Sequence, residues 1–211
     1  AAPGLVDLAV SLREPGYSRK GTIATETLAA AAGGVTSLCC PPQTKPVLDT
    51  SAVTELILDR AREAGHSKVF PIGALSKNLD GEQLAELVAL RDAGCMAFGD
   101  GLHSFNNHRT LCRALEYAAT FNLTVILHAQ DHDLAAGGIA HEGPSASFLG
   151  LAGIPERDET VALARDLLLD LALLARLSQS LEGGGGENIK PNQPPALTGQ
   201  AQVAPEIVAA Y

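Results

Sequence analysis

The sequence predicts an α/β chain built on a parallel sheet, and three observations carry that prediction. Short apolar or β-branched runs alternate with longer helical patterns. These runs recur about every thirty residues, the length of one strand plus its crossover helix. No hairpin dipeptide joins one run to the next. The rhythm suits either a doubly wound sheet or part of an eight-stranded (β/α) barrel, and periodicity does not separate the two. Polar and ionisable residues placed just after the first, second, fourth and fifth strands lean toward the barrel, whose site draws on many strand ends.

The first strand is expected over Leu5 to Val10, with Arg13 after it, and a helix follows over Thr25 to Ala32. The second runs from Val35 to Cys39, with Gln43 to Lys45 behind it. A helix over Thr50 to Ala64 comes next, capped by Asp49, Thr50 or Ser51 and stopped by Gly65. The third strand is Lys68 to Ile72, followed by a helix over Gly81 to Ala93 that Asp80 precedes and Gly94 ends. The fourth is Cys95 to Phe98, with Asp100 and His103 after it, then a helix over Asn107 to Phe121. The fifth, Thr124 to Leu127, leads into His128 to Asp133. Beyond Gly150 the pattern changes to one long helix over Glu156 to Leu181. Its Asp166 to Leu177 stretch is so rich in leucine that it should be buried all round or packed against another subunit. Gly183 to Gly186 stops the helix, so residues 1–182 read as the barrel-like part and 183–211 as a Gly/Pro-rich tail or remnants of a larger region.

Composition narrows the function. With 46% hydrophobic and 18% charged residues, the 211-residue chain has material for one globular core. A net charge of −9 with no basic cluster argues against nucleic acid as a partner. No run of about 18 apolar residues offers a membrane span, and no signal peptide is visible. Cys39, Cys40, Cys95 and Cys112 form no CxxC pair and are expected as buried thiols in a reducing compartment, the cytoplasm.

Several residues can carry chemistry. His128 and His132 stand four apart, a spacing that puts both on one helical face, yet the glutamate of a zinc-protease helix is absent. Metal binding there competes with a plain strand end followed by a cap. His103 and His108 near a helix start read as solvated loop residues, His66 as a helix-end charge and His141 as a loop residue. Asp100 can serve as ligand or base, although Asp-Gly is also an ordinary turn. Arg13 can clamp a carboxylate or pair with a surface acid. No phosphate loop or nucleophile elbow is present.

These residues also resemble a known family. Pro3 to Gly16, with Leu12-Arg13-Glu14-Pro15-Gly16, is similar to the PGxxDxHxHLREPG strand of type I dihydroorotases in the amidohydrolase superfamily. Pro42 to Val47 resembles PNTxPV, Phe98-Gly99-Asp100-Gly101 resembles FSDDG, and His128-Ala129-Gln130-Asp131 resembles HCED. Gly138 to Gly143 resembles GxMNEG, and the likeness runs over roughly residues 3 to 170. It implies a (β/α)8 TIM barrel of the metal-dependent hydrolase type, incomplete here at about five βα units plus the long helix.

The departures bear on activity. The two zinc-binding histidines of the family's first strand correspond to Ala9 and Ser11, and neither replaces imidazole as a zinc donor. The substrate-binding asparagine corresponds to Gln43, and the acid after the fifth-strand histidine to Gln130. Arg13 remains with Gln43 as a vestige of substrate binding, and Asp100 and His128 remain as residual metal candidates. The resemblance thus implies a non-catalytic dihydroorotase-like chain that expects no cofactor. Such a chain accompanies the catalytic chain of bacterial aspartate carbamoyltransferase in pyrimidine biosynthesis and self-associates. The alternative is a metal-dependent amidohydrolase opening a cyclic amide with a reduced, one-zinc site. A third reading keeps only carboxylate capture by Arg13.

Overall fold

The computed structural model describes residues 2–103, 105, 107–183 and 207–209. Five parallel strands follow one another in sequence and in space: β1 (Leu5–Asp7), β2 (Val35–Cys40), β3 (Lys68–Gly73), β4 (Ala97–Phe98) and β5 (Thr124–Leu127). Between them run α1 (Ile23–Ala32), α2 (Ser51–Ala64), α3 (Leu87–Ala93) and α4 (His108–Thr120). Sequential order with crossover helices is the winding of a (β/α) barrel, and the sheet here forms part of one. Past β5 lie α5 (His132–Ala135), β6 (Ala140–His141), α6 (Pro144–Leu149), β7 (Gly153–Ile154) and α7 (Arg157–Gly183). β6 and β7 make a separate two-stranded parallel ribbon.

The tail contributes a strand, β8 (Ile207–Ala209), which pairs in parallel with β5 and makes the main sheet six-stranded. The remainder of the tail, 184–206 and 210–211, lies outside the described residues.

Local sequence explains most boundaries. Thr22 caps α1 in a reciprocal box with Thr25, each side chain accepting from the other's backbone N–H. The Glu14 carboxylate accepts from the Ile23 N–H at 3.0 Å, so the loop after β1 is tied to the start of α1. Asn107 caps α4 by accepting from Thr110 N–H. That helix buries Leu111, Ala114, Leu115 and Ala118, spaced i, i+3, i+4 and i+7, against the sheet. α2 does the same with Val53 and Ile57 and ends at Gly65 in the left-handed conformation. With Leu38 and Cys40 of β2, Val69 of β3, Phe98 of β4 and Val125 of β5, these residues form one core between sheet and helices.

Three elements depart from their expected bounds. β1 stops at Asp7, whose carboxylate turns back to accept from Ala9 N–H, so Ala9 and Ser11 lie past the strand. α3 begins at Leu87 rather than Gly81. Asp80 does cap locally, accepting from Glu82 N–H, but Ser76 bridges to Leu84 and a short 3-10 turn over Lys77–Leu79 takes up the chain. Finally, α7 is one helix as expected, packed on α4 and α5, yet it is not buried all round. Leu173 is buried, while Leu167, Leu168 and Leu171 are exposed. β1 is exposed throughout and, among the described residues, has a strand neighbour on one side only. No helix among the described residues is long and apolar enough to cross a membrane.

Candidate functional site

The C-terminal ends of the strands surround a chamber of about 160 Å³. Ala9 and Ser11 from the loop after β1, Gln43 after β2 and His128 after β5 all line it. The rest of the wall is mainly apolar, with Leu8, Pro41, Ile72, Leu102 and Ile126. Arg13 stands just outside. It lines an adjoining cleft of about 470 Å³ together with Ser11, Gln43, Lys20 and His103. Its φ of 64° is the left-handed conformation, which costs a non-glycine residue about 1–2 kcal/mol.

Asp100 lines neither cavity. It is 4% exposed, and its Oδ1 accepts from Leu75 N–H at 2.8 Å and Ser76 N–H at 3.0 Å. Its Oδ2 accepts from the Ser76 hydroxyl, which in turn accepts from Gly81 N–H at 3.0 Å. Burial pushes the Asp100 carboxyl above its ordinary value, while the Ser76 and Leu75 hydrogen bonds and the nearby His103 pull it down. The chamber instead meets Gly99 and Gly101, the residues on either side. Counted from Phe98, the second acid of the FSDDG pattern falls at Gly101. There the Gln43 amide has moved in, 2.4–2.6 Å from where a Cβ would stand.

The loop after β5 is fixed from α7. Asp158, 1% exposed in the first turn of that helix, accepts from Asp131 N–H at 2.5 Å and from the Gln130 amide at 3.4 Å. Asp131 then caps α5, so His132 starts a short helix on the outside while His128 stays at the chamber. The two histidines are thus not on one helical face. His141 contacts its neighbour's carbonyl, Glu142 O, at 2.8 Å on the surface, and His66 and His108 are exposed. Sequence reasoning missed Asp158 and Ser76. Their only local signals are an acid in a helix first turn and a serine after a strand, both commonplace.

All four cysteines are free. Cys40 and Cys95 are buried, and burial pushes their thiols up to about 12 and about 11, so neither is a nucleophile.

Comparison with known proteins identifies the family. The dihydro-orotase-like family model matches residues 1–176. The chain belongs to that family. A dihydroorotase-like protein of Pseudomonas putida is 69% identical over 206 residues, 97% of this chain and 49% of that protein. One of Pseudomonas aeruginosa is 66% identical over the same span. A dihydroorotase of Syntrophobacter fumaroxidans is 52% identical over 175 residues, 83% of this chain and 40% of its own length. This dihydro-orotase-like chain therefore spans about half the length of the two Pseudomonas relatives. Among solved structures, the L-hydantoinase (dihydropyrimidinase) of Arthrobacter aurescens superposes with a TM-score of 0.64 at 22% identity. That match covers 81% of the dihydro-orotase-like chain and 40% of the hydantoinase, a likeness of fold: a half-barrel set against a TIM barrel.

The zinc pair that the resemblance implies does not fit the residues of this dihydro-orotase-like chain. Ala9 has no donor atom, Ser11 offers a hydroxyl, and both Asp100 oxygens are engaged by Leu75 and Ser76. Among the described residues, no three His, Cys, Asp or Glu side chains converge to hold a metal.

Proposed function

We propose that this chain is a catalytically inactive dihydroorotase homologue. In this reading it works in the cytoplasm as an assembly subunit for the aspartate carbamoyltransferase catalytic chain. The observation that carries the reading is the pair Ala9 and Ser11 where the loop after β1 enters the chamber. Hydrolysis of a cyclic amide in this family's manner needs a metal to generate hydroxide at neutral pH and to polarise the carbonyl. A wall of Leu8, Ile72 and Ile126 with alanine and serine at its mouth supplies neither.

What remains useful is the frame and its surface. The exposed apolar residues Leu5 and Val6 of β1, Leu167, Leu168 and Leu171 of α7, and Phe148 and Leu149 of α6 favour contact with another chain. A scaffold needs such contacts and no chemistry.

The test mixes the purified chain with an aspartate carbamoyltransferase catalytic chain and reads mass by light scattering and zinc on the same samples. A large, zinc-free complex is expected. Two bound zinc ions with ring opening of dihydroorotate, or no change of mass on mixing, would overturn the reading.

A further inference from the structure

The sheet carries a second concavity at its other end. A pocket of about 400 Å³ opens where α2 stops, the turn at Gly65 to Ser67 reverses the chain and β3 begins, so it lies at the N-terminal end of that strand, away from the chamber. Its size falls within the range of small-molecule sites, about 300–1,000 Å³. Leu58 and Ala61 of α2 and Val69 and Phe70 of β3, all buried or half-buried, form its floor. Arg62, His66 and Lys68, all exposed, stand around its mouth. In a chain with 24 acids against 15 bases, no carboxylate lines this pocket.

Three details make the pocket a receptor for an anion. The turn is held in place beforehand: the buried Ser67 hydroxyl donates to Val35 O at 2.7 Å, with Thr27 O also in reach at 3.2 Å, which fastens the turn to β2 and α1. His66 and Lys68 make no ion pair among the described residues, so both are available to a ligand. Arg62 pairs through Nη1 with Asp59, one turn back on α2, but both side chains are exposed; such a pair is weak and leaves the other guanidinium nitrogens free to donate. The carbonyls at the end of α2 oppose an anion. Gly65 N–H already occupies one of them, Ala61 O, at 3.1 Å, and Arg62 and Lys68 outweigh what is left of the helix dipole.

A guanidinium, an ammonium and an imidazole around one opening suit an anion with at least three acceptor oxygens. A phosphate monoester has them and carries a charge of about −1.5 to −2 at pH 7, whereas a carboxylate offers two oxygens and a single charge. We propose that this pocket binds small phosphate monoesters with an apolar or aromatic body, the phosphate held by Arg62, His66 and Lys68 and the body laid against Leu58 and Phe70. The inference goes beyond the assembly reading, since no partner chain, no zinc and no residue of the chamber enters it. Bare phosphate leaves the apolar floor uncovered, and an uncharged ring leaves the mouth without its anion.

Isothermal calorimetry on the whole chain tests this with four probes: phenyl phosphate, inorganic phosphate, phenol and benzenesulfonate. Phenyl phosphate is expected to bind with a Kd tighter than about 1 mM, and each of the others about tenfold more weakly or worse. Arg62→Gln and Lys68→Gln each remove a charged contact and should each weaken phenyl phosphate about tenfold. Both side chains are exposed, and circular dichroism checks that the variants fold. In amide nuclear magnetic resonance spectra, Gly65 to Phe70 should shift as phenyl phosphate is added. No heat with phenyl phosphate, equal binding of inorganic phosphate, which would mark an adventitious ion only, or indifference to both substitutions overturns the proposal. So does a loss of binding produced by Arg13→Gln instead, which would put the anion in the cleft beside the chamber.

Discussion

Replacing Asp100 by alanine separates two roles that one carboxylate can have. As a leftover metal ligand, Asp100 would be a buried charge without purpose, and its removal would leave stability unchanged or improved. The structure makes it a staple. Its oxygens accept from Leu75 N–H, Ser76 N–H and the Ser76 hydroxyl, all buried, and they hold the loop that precedes α3. A buried donor deprived of its acceptor costs about 1–3 kcal/mol. Two backbone donors lose their acceptor outright, whereas the hydroxyl can turn, and relief of the carboxylate's desolvation offsets part of the loss. The net cost should be about 2–4 kcal/mol. The chain has no tryptophan, so urea unfolding is best followed by far-ultraviolet circular dichroism. A destabilisation below about 0.5 kcal/mol, the range of inconsequential surface changes, would refute the staple. Asp100→Asn keeps an acceptor for the two N–H groups and should cost about 1 kcal/mol.

Other outcomes follow from the same geometry. Burial raises the Asp100 carboxyl above its ordinary 3.8, so the folded chain holds this proton more tightly than the unfolded one. Its contribution is complete below about pH 4 and is lost as pH rises through the folded value; urea titrations across pH should show that decline in the wild type and not in Asp100→Asn. Gly101→Ala combines a φ of +62° with the Gln43 amide in the way, and should cost about 2 kcal/mol or more, part of it recovered in Gly101→Ala with Gln43→Ala; purely additive losses would mean the two do not meet. Asp158→Ala frees the loop after β5 and should cost about 2 kcal/mol, with faster amide exchange at Asp131 as the local readout. Thr22→Ala removes half of the α1 box and should cost about 1 kcal/mol in the same unfolding assay.

How much of this was legible in the sequence depends on whether the cause is local. α4 was readable because its cap, Asn107, and its buried stripe, Leu111 to Ala118, lie within one helix. The five strands were readable because each is a short apolar run. The start of α3 was not, since Asp80 and Glu82 imitate a helix start while the deciding contact, Ser76 to Asp100, spans 24 residues. Asp158 bridging 27 residues to Asp131 was equally invisible. At the site, the departure from the family pattern at Ala9 and Ser11 could be read from the sequence. The direction of Asp100 could not, because facing inward or outward changes with a single residue of register. The exposed leucines of α7 were legible as apolar but not as uncovered, which depends on what else packs there.

The placement of Gly101 bears on evolutionary reversal. A lineage that lost its metal through Ala9 and Ser11 alone could regain it by two substitutions. Here Asp100 is anchored to another loop and cannot be re-aimed without unravelling the start of α3. A new acid at position 101 would have to endure a left-handed backbone and displace Gln43. If the chain is metal-free as proposed, a return to metal binding would pass through variants strained at residue 101, which selection would not favour. On that reading, substitutions on the surface remain open to such a chain, whereas an acid at position 101 does not.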